Sequence, residues 1–171
     1  GQIVAQKDNN GNIQIYEKYR ENQIIKTHWI DARYHAIHYG TKILENILGE
    51  KKFDFPKSLY LILDTLKLTA NKDSIVLDYF AGSGTTGHAV LELNKNDGGN
   101  RKFILCTNNE NDISTEICYP RIKKAIEGYR NLKKDKIEGL GGNLKYFKTD
   151  FVDFKDSNEK NKIRMTEEAI E

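Results

Sequence analysis

The feature that most constrains this chain is the run Leu77 to Gly87 (LDYFAGSGTTG), in which three glycines separate a strand-like apolar segment from a helix-like one. Ser74 to Phe80 (SIVLDYF) reads as a buried strand and Gly84 to Asn94 as a helix. Gly82, Gly84 and Gly87 satisfy GxGxxG, the spacing with which a strand turns sharply into a helix and lets backbone approach a nucleotide-type ligand. The Lys-Ser/Thr pair of a phosphate-cradling loop does not follow the last glycine. Downstream, Lys102 to Thr107 (KFILCT) reads as a second buried strand. Pro120 to Arg130 reads as a helix with Ile122, Ala125, Ile126 and Tyr129 on one face, and Leu144 to Phe151 as a third strand. Strands spaced by helices predict an α/β fold with a parallel sheet and right-handed crossovers.

Asp78 narrows the choice of ligand. It stands at the carboxyl end of the first strand of this unit, four residues before Gly82, where a pyrophosphate would meet its carboxylate and be repelled. A cofactor carrying an ammonium and a sulfonium would be stabilised there, which points to S-adenosylmethionine. The plain alternative is a set of turn glycines with a capping aspartate.

The rest of the chain frames this unit. Ile3, Ala5, Ile13 and Ile15 alternate around Asn9-Asn10-Gly11, the chemistry of an N-terminal β-hairpin. From Thr41 the period becomes helical, with Ile43, Leu44, Ile47 and Leu48 on one face and Gly49 as the terminating residue. A second helix opens with Pro56 in its first turn and carries Leu59, Ile62, Leu63 and Leu66 on one side. Residues 1–40 are thus expected to form the hairpin and a connector, 41–154 the cofactor-binding Rossmann-like half, and 155–171 a charged tail that is a solvated helix or disordered. The chain begins without methionine and enters strand-like sequence at once, so a piece of a larger protein is expected.

Composition excludes several classes. With 27 Lys and Arg against 25 Asp and Glu, no strong global field draws the chain to a polyanion, so any such contact must be local. Cys106 and Cys118 do not form a CxxC pair, no signal core or membrane-length apolar window is present, and a reducing cytoplasm is the expected setting. His28, His35 and His38 lack a carboxylate or cysteine at ligand spacing, so no metal site is expected. The basic run Arg121 to Lys136 is read as a solvated helix face, with contact to DNA phosphates as the alternative.

The run DYFAGSGTTGHAV resembles the cofactor motif of amino-methylating DNA methyltransferases, with Tyr79 where their pattern has proline. The stretch YGTKILENILGEKKFDFPKSLYLILDTL, followed by FILCTNNEN and YPRIKKAIEGY, is similar to the modification subunit of type III restriction-modification systems, across about residues 29–151. The resemblance implies a partial, Rossmann-like S-adenosylmethionine-dependent methyltransferase fold with permuted motif order, the catalytic half preceding the cofactor half. It implies a site-specific, adenine-N6 enzyme acting on double-stranded DNA, with S-adenosylmethionine as cofactor, a restriction subunit as possible partner and a homodimer in the full-length form.

The cofactor-binding residues it implies are Asp78, Phe80, Ala81, Gly82, Ser83, Gly84, Thr85 and Thr86, with Lys57 and Ser58 of the PKS segment wrapping the methionine end. Lys57 is equally a solvated first-turn lysine. Where such folds hold the ribose with an acid this chain has Thr107, leaving Asn109 and Glu110 as candidates or as a cap for the next helix, and Asp150 as a candidate for the adenine amine or a turn aspartate. The family's Asp/Asn/Ser-Pro-Pro-aromatic tetrapeptide, which clamps and stacks on the flipped base, is absent, because the two prolines, Pro56 and Pro120, lie far apart. No catalytic residue is therefore expected here. The catalytic half is expected upstream, and the chain alone is expected to be inactive. The competing readings are a non-catalytic cofactor-binding or assembly module and, using the same glycines, an NAD-dependent dehydrogenase.

Overall fold

The computed structural model describes residues 3–7, 11–17, 27–149, 159–160 and 162–163. It falls into two units, Gly1–Ala32 and Arg33–Glu171. In the first, β1 (Ile3–Lys7) pairs antiparallel with β2 (Ile13–Glu17), Ala5 opposite Ile15, and Gly11 takes a φ of +85° that favours glycine.

The second unit opens with a π-helical turn, Ile37–Thr41, that runs into α1 (Lys42–Leu48). Gly49 ends α1 at φ +94°, as the sequence predicts. Helix α2 (Leu59–Thr69) begins later than expected. Pro56 is buried ahead of the helix, not in its first turn, because Ser58 holds an extended ψ of 131° and donates its hydroxyl to the Arg33 carbonyl at 2.6 Å.

Strand β3 (Ile75–Asp78), helix α3 (Thr85–Asp97) and strand β4 (Lys102–Leu105) form a parallel βαβ unit, with Ile75 opposite Lys102 and Asp78 opposite Leu105. Leu59, Leu63 and Leu66 of α2 pack against Ala89, Val90 and Leu93 of α3, and Val76 and Phe103 join them from the sheet. The sequence predicts that both strands are buried, and only one face is. Ile75, Leu77 and Ile104 point the other way and are 66%, 61% and 51% exposed, since the described helices pack on a single side.

Helix α4 (Tyr119–Glu127) has Pro120 in its first turn and packs Ile122 and Ala125 against Leu91 of α3. It stops short of the predicted Arg130. Gly128 turns the backbone to φ +90°, and β5 (Gly128–Arg130) pairs antiparallel with β6 (Lys136–Glu138) in a hairpin the sequence did not reveal. The predicted third strand does not form over Leu144 to Thr149; Leu144 packs into the α3–α4 core instead. Asp150 and Phe151 lie outside the described residues. Of the charged tail, Glu159, Lys160, Lys162 and Ile163 are described, helical and exposed. No described helix is long and apolar enough to cross a membrane.

Between α3 and α4, His88 is buried against the Arg121 guanidinium. Burial first, and then that positive charge, push the imidazole down to about 3 from its ordinary 6.5. The unfolded chain therefore binds a proton below 6.5 that the folded chain refuses until about 3. Stability conferred by the neutral ring is complete above 6.5 and falls as pH drops toward 3. We expect this residue alone to lower unfolding free energy by up to about 1.4 kcal/mol per pH unit in that window. Urea denaturation of wild type and His88→Gln from pH 7 to pH 4 reads it as a shallower slope in the variant; equal slopes would mean that His88 titrates normally.

Candidate functional site

The turn between β3 and α3 is held by its own polar groups together with hydrogen bonds with the end of β4 and with α4. The Ala81 N–H donates to the Cys106 carbonyl at 3.0 Å and the Gly84 N–H to the Ala81 carbonyl at 2.8 Å, fixing the loop to the end of β4. Gly82 and Gly84 take φ of +50° and +76°, a region side chains resist. The two glycines face different surroundings. A Cβ at Gly84 would meet Cys118 Sγ at 3.0 Å and Ile122, whereas at Gly82 the nearest atom would be Phe53 Cζ at 3.5 Å. Gly84 is therefore demanded by packing behind the turn, and Gly82 leaves the front open.

Asp78 is half-buried and works as a clamp within the loop. Its Oδ1 accepts from the Phe80 N–H at 3.1 Å and its Oδ2 from the Thr86 hydroxyl at 2.5 Å. Each carboxylate oxygen retains acceptor capacity for a further donor. Phe80 extends outward at 88% exposure, Ala81, Ser83 and Thr85 are buried, and Thr86 is half-buried on the first turn of α3.

Behind the turn lies a residue whose role the sequence concealed. Arg121 belongs to the basic run read as a solvated face, yet it is fully buried, and of the cations in that run only Lys123, Arg130, Lys133, Lys134 and Lys136 are exposed. Its Nη1 donates to the Ser83 carbonyl (3.3 Å), Ser83 Oγ (3.1 Å) and Thr85 Oγ1 (2.8 Å), and its Nη2 lies 3.4 Å from His88 Nδ1. Because the guanidinium only donates, His88 Nδ1 must accept, which places the ring proton on Nε2. A signal was present: Arg121 shares a buried stripe with Ile122 and Ala125 of α4 and with Ile117 and Cys118 of the π-helical turn (Ile113–Cys118) that runs into it, at helical spacing. Lys124 is also drawn inward, donating to the Ile47 and Leu48 carbonyls at the end of α1.

The remaining candidates separate. Ser58 is buried with its hydroxyl committed to Arg33, and Lys57 beside it is exposed. Asn109 Oδ1 accepts from the Ser114 and Thr115 N–H groups at 3.0 and 3.1 Å and from the Thr115 hydroxyl, so it caps the following helical turn. Glu110 is exposed, and Asn108 Nδ2 reaches it at 3.4 Å. Asp150 lies outside the described residues. The structure thus brings Asp78 and Phe80 through Thr86 together in one turn.

Comparison with known proteins matches the sequence that builds this turn to a family. A DNA methylase family profile matches residues 3–127. The chain is 43% identical over 103 residues to the type III restriction-modification enzyme StyLTI Mod subunit of Salmonella typhimurium, covering 59% of this chain and 16% of that protein. Over 154 residues it is 33% identical to the type II methyltransferase M.KpnI of Klebsiella pneumoniae, covering 90% of this chain and 34% of the relative. To the type III EcoPI Mod subunit of Escherichia phage P1 it is 41% identical over 107 residues, 63% of this chain and 16% of that protein. The chain therefore spans 16% to 34% of the length of these curated relatives. Because the profile covers well over half of the chain, the glycine turn included, the chain belongs to the DNA methylase family.

Proposed function

We propose that this chain is the cofactor-binding portion of a site-specific DNA methyltransferase that transfers a methyl group from S-adenosylmethionine to adenine N6 within a restriction-modification system. The observation that carries the reading is the β3–α3 turn: an open front at Gly82 and a carboxylate at Asp78, in a chain of the DNA methylase family. Those residues fit the cofactor. The bare Cα of Gly82 admits a nucleoside-sized ligand, the spare lone pairs of Asp78 suit its ammonium, and the N-terminus of α3 suits its carboxylate. When bound, S-adenosylmethionine supplies an electrophilic methyl group; the residues of this chain hold and orient it.

The finer assignments follow from this reading. Phe80 through Thr86 line the ligand, and Lys57, exposed before α2, is the member of the PKS segment whose side chain is free to wrap the methionine end, while Ser58 fixes the backbone there. With Asn109 occupied as a cap, Glu110 is the acid for the ribose hydroxyls. The fold is a Rossmann-like methyltransferase half in permuted order with an N-terminal β-hairpin, divided at 1–40, 41–154 and 155–171. Its substrate partner is double-stranded DNA, engaged together with a catalytic half that bears the Pro-Pro tetrapeptide; a restriction subunit and a second copy complete the assembly, in the cytoplasm. The names of the type III Mod relatives support the restriction-modification setting. A second reading, a non-catalytic cofactor-binding module, is favoured by the lack of adjacent prolines.

Four outcomes test the reading. Asp78→Asn loses one acceptor and the charge, and calorimetry with S-adenosylhomocysteine is expected to show a loss of roughly 1.5–3 kcal/mol; unchanged affinity would remove Asp78 from the site. Gly82→Ala meets no protein atom closer than 3.5 Å, so its fold should survive with about 1–2 kcal/mol of strain while cofactor binding disappears, whereas Gly84→Val should damage the fold as well. Thermal shifts with S-adenosylhomocysteine and NAD provide the control, and stabilisation by NAD alone would overturn the cofactor. Finally, tritiated S-adenosylmethionine and mixed-sequence DNA should show no methyl incorporation by this chain alone; counts above background would mean that catalytic residues are present here.

A further inference from the structure

We propose that Arg121 is a positioning residue that makes the β3–α3 turn selective for the amino-acid end of its ligand, a zwitterion whose carboxylate answers the buried guanidinium and whose ammonium answers Asp78. This rests on the cofactor reading above and deepens it. Arg121 is completely buried, its Nε has no hydrogen-bond partner, and no carboxylate of the described residues pairs with it. A buried ion without a counter-ion is costly, so its presence directly beneath a ligand-facing turn calls for a compensating charge.

Its immediate neighbours cannot supply one. The polar groups around it are the Ser83 and Thr85 hydroxyls, the neutral His88 ring, the Cys118 thiol, which burial pushes up to about 11, and the Tyr129 phenol, which burial also raises. Desolvation lowers the guanidinium to about 10, which leaves it charged at neutral pH. The field of that charge emerges where α3, a helix of 13 residues, begins and adds its own positive end. On the rim, Asp78 is held by Phe80 and Thr86 and forms no ion pair with Arg121. The turn therefore carries positive charge behind and negative charge at its edge, and an α-amino acid group complements both.

The test separates this role from simple support of the loop. Binding of S-adenosylhomocysteine and of 5′-methylthioadenosine, the same thioether nucleoside without the amino-acid end, is measured by calorimetry for wild type, Arg121→Lys and Arg121→Met. We expect Arg121→Met to weaken S-adenosylhomocysteine by about tenfold or more, to leave 5′-methylthioadenosine within about twofold, and Arg121→Lys to restore much of the difference. Equal loss for both ligands, or none for either, would overturn the proposal while leaving the cofactor reading intact. Failure of wild type to bind either nucleoside would instead overturn the cofactor reading and this proposal with it. If Arg121→Met does not fold, the ratio of the two affinities in Arg121→Lys decides: a change confined to S-adenosylhomocysteine supports the role, and a parallel change refutes it.

Discussion

Everything in the larger unit depends on how closely α3 can approach its neighbours at one point. At Gly87 a Cβ would stand 2.8 Å from Leu105 of β4 and 2.9 Å from Ile122 of α4, so the missing side chain is what lets strand, helix and helix meet. On the same helix Ala89 and Val90 are buried against α2, and Thr85 lies 2.8 Å from the Arg121 guanidinium. An added Cβ would press on the methyl ends of Leu105 and Ile122, which would have to change rotamer and loosen the packing of α3 against β4 and α4.

Two buried arginines frame the same helix and show how differently a charge can be accommodated. Arg101 sits at the end of α3 and makes paired hydrogen bonds to the Asp97 carboxylate at 3.0 and 2.9 Å, while its backbone N–H donates to Asn94. That cluster closes the helix and satisfies a negative helix terminus with a cation that already has its counter-ion. Arg121, near the opposite end, has neutral oxygens and a neutral imidazole. Among the described residues Nε lacks a partner in both, but the first guanidinium is neutralised by Asp97 whereas the second is electrically open.

The glycine turn, α1 with its Gly49 stop and the parallel pairing of β3 with β4 were legible in the sequence because each rests on local rules: positive φ, helical period, strand length. The β5–β6 hairpin was not, because Tyr129 extends the i, i+3, i+4, i+7 pattern of α4 and nothing in that pattern shows Gly128 turning at φ +90°. The third strand failed for the complementary reason. Leu144 is apolar enough to suggest a strand, but only pairing makes one, and from Leu144 to Thr149 no described strand pairs with this segment. Of the candidate site, the contiguity of the turn followed from its glycines; for Asn109 the sequence offered ligand contact or helix cap, and its Oδ1 accepts from the backbone of the next turn, while the Ser58 hydroxyl donates to the Arg33 carbonyl. Arg121 was overlooked because a charge among lysines reads as solvated, although its spacing from Cys118, Ile122 and Ala125 already placed it on the apolar side of the helix.

The half-covered sheet has a consequence of another kind. Ile75, Leu77 and Ile104 form an apolar row on the side away from α2 and α3, so part of the free energy of burying this sheet is withheld from the chain as described. Its stability is then a function of whatever covers that row, and any ligand, detergent or protein that does so shifts unfolding by mass action. The folding free energy of this unit is accordingly a property of its surroundings as much as of its sequence, and a midpoint measured at one protein concentration need not hold at another.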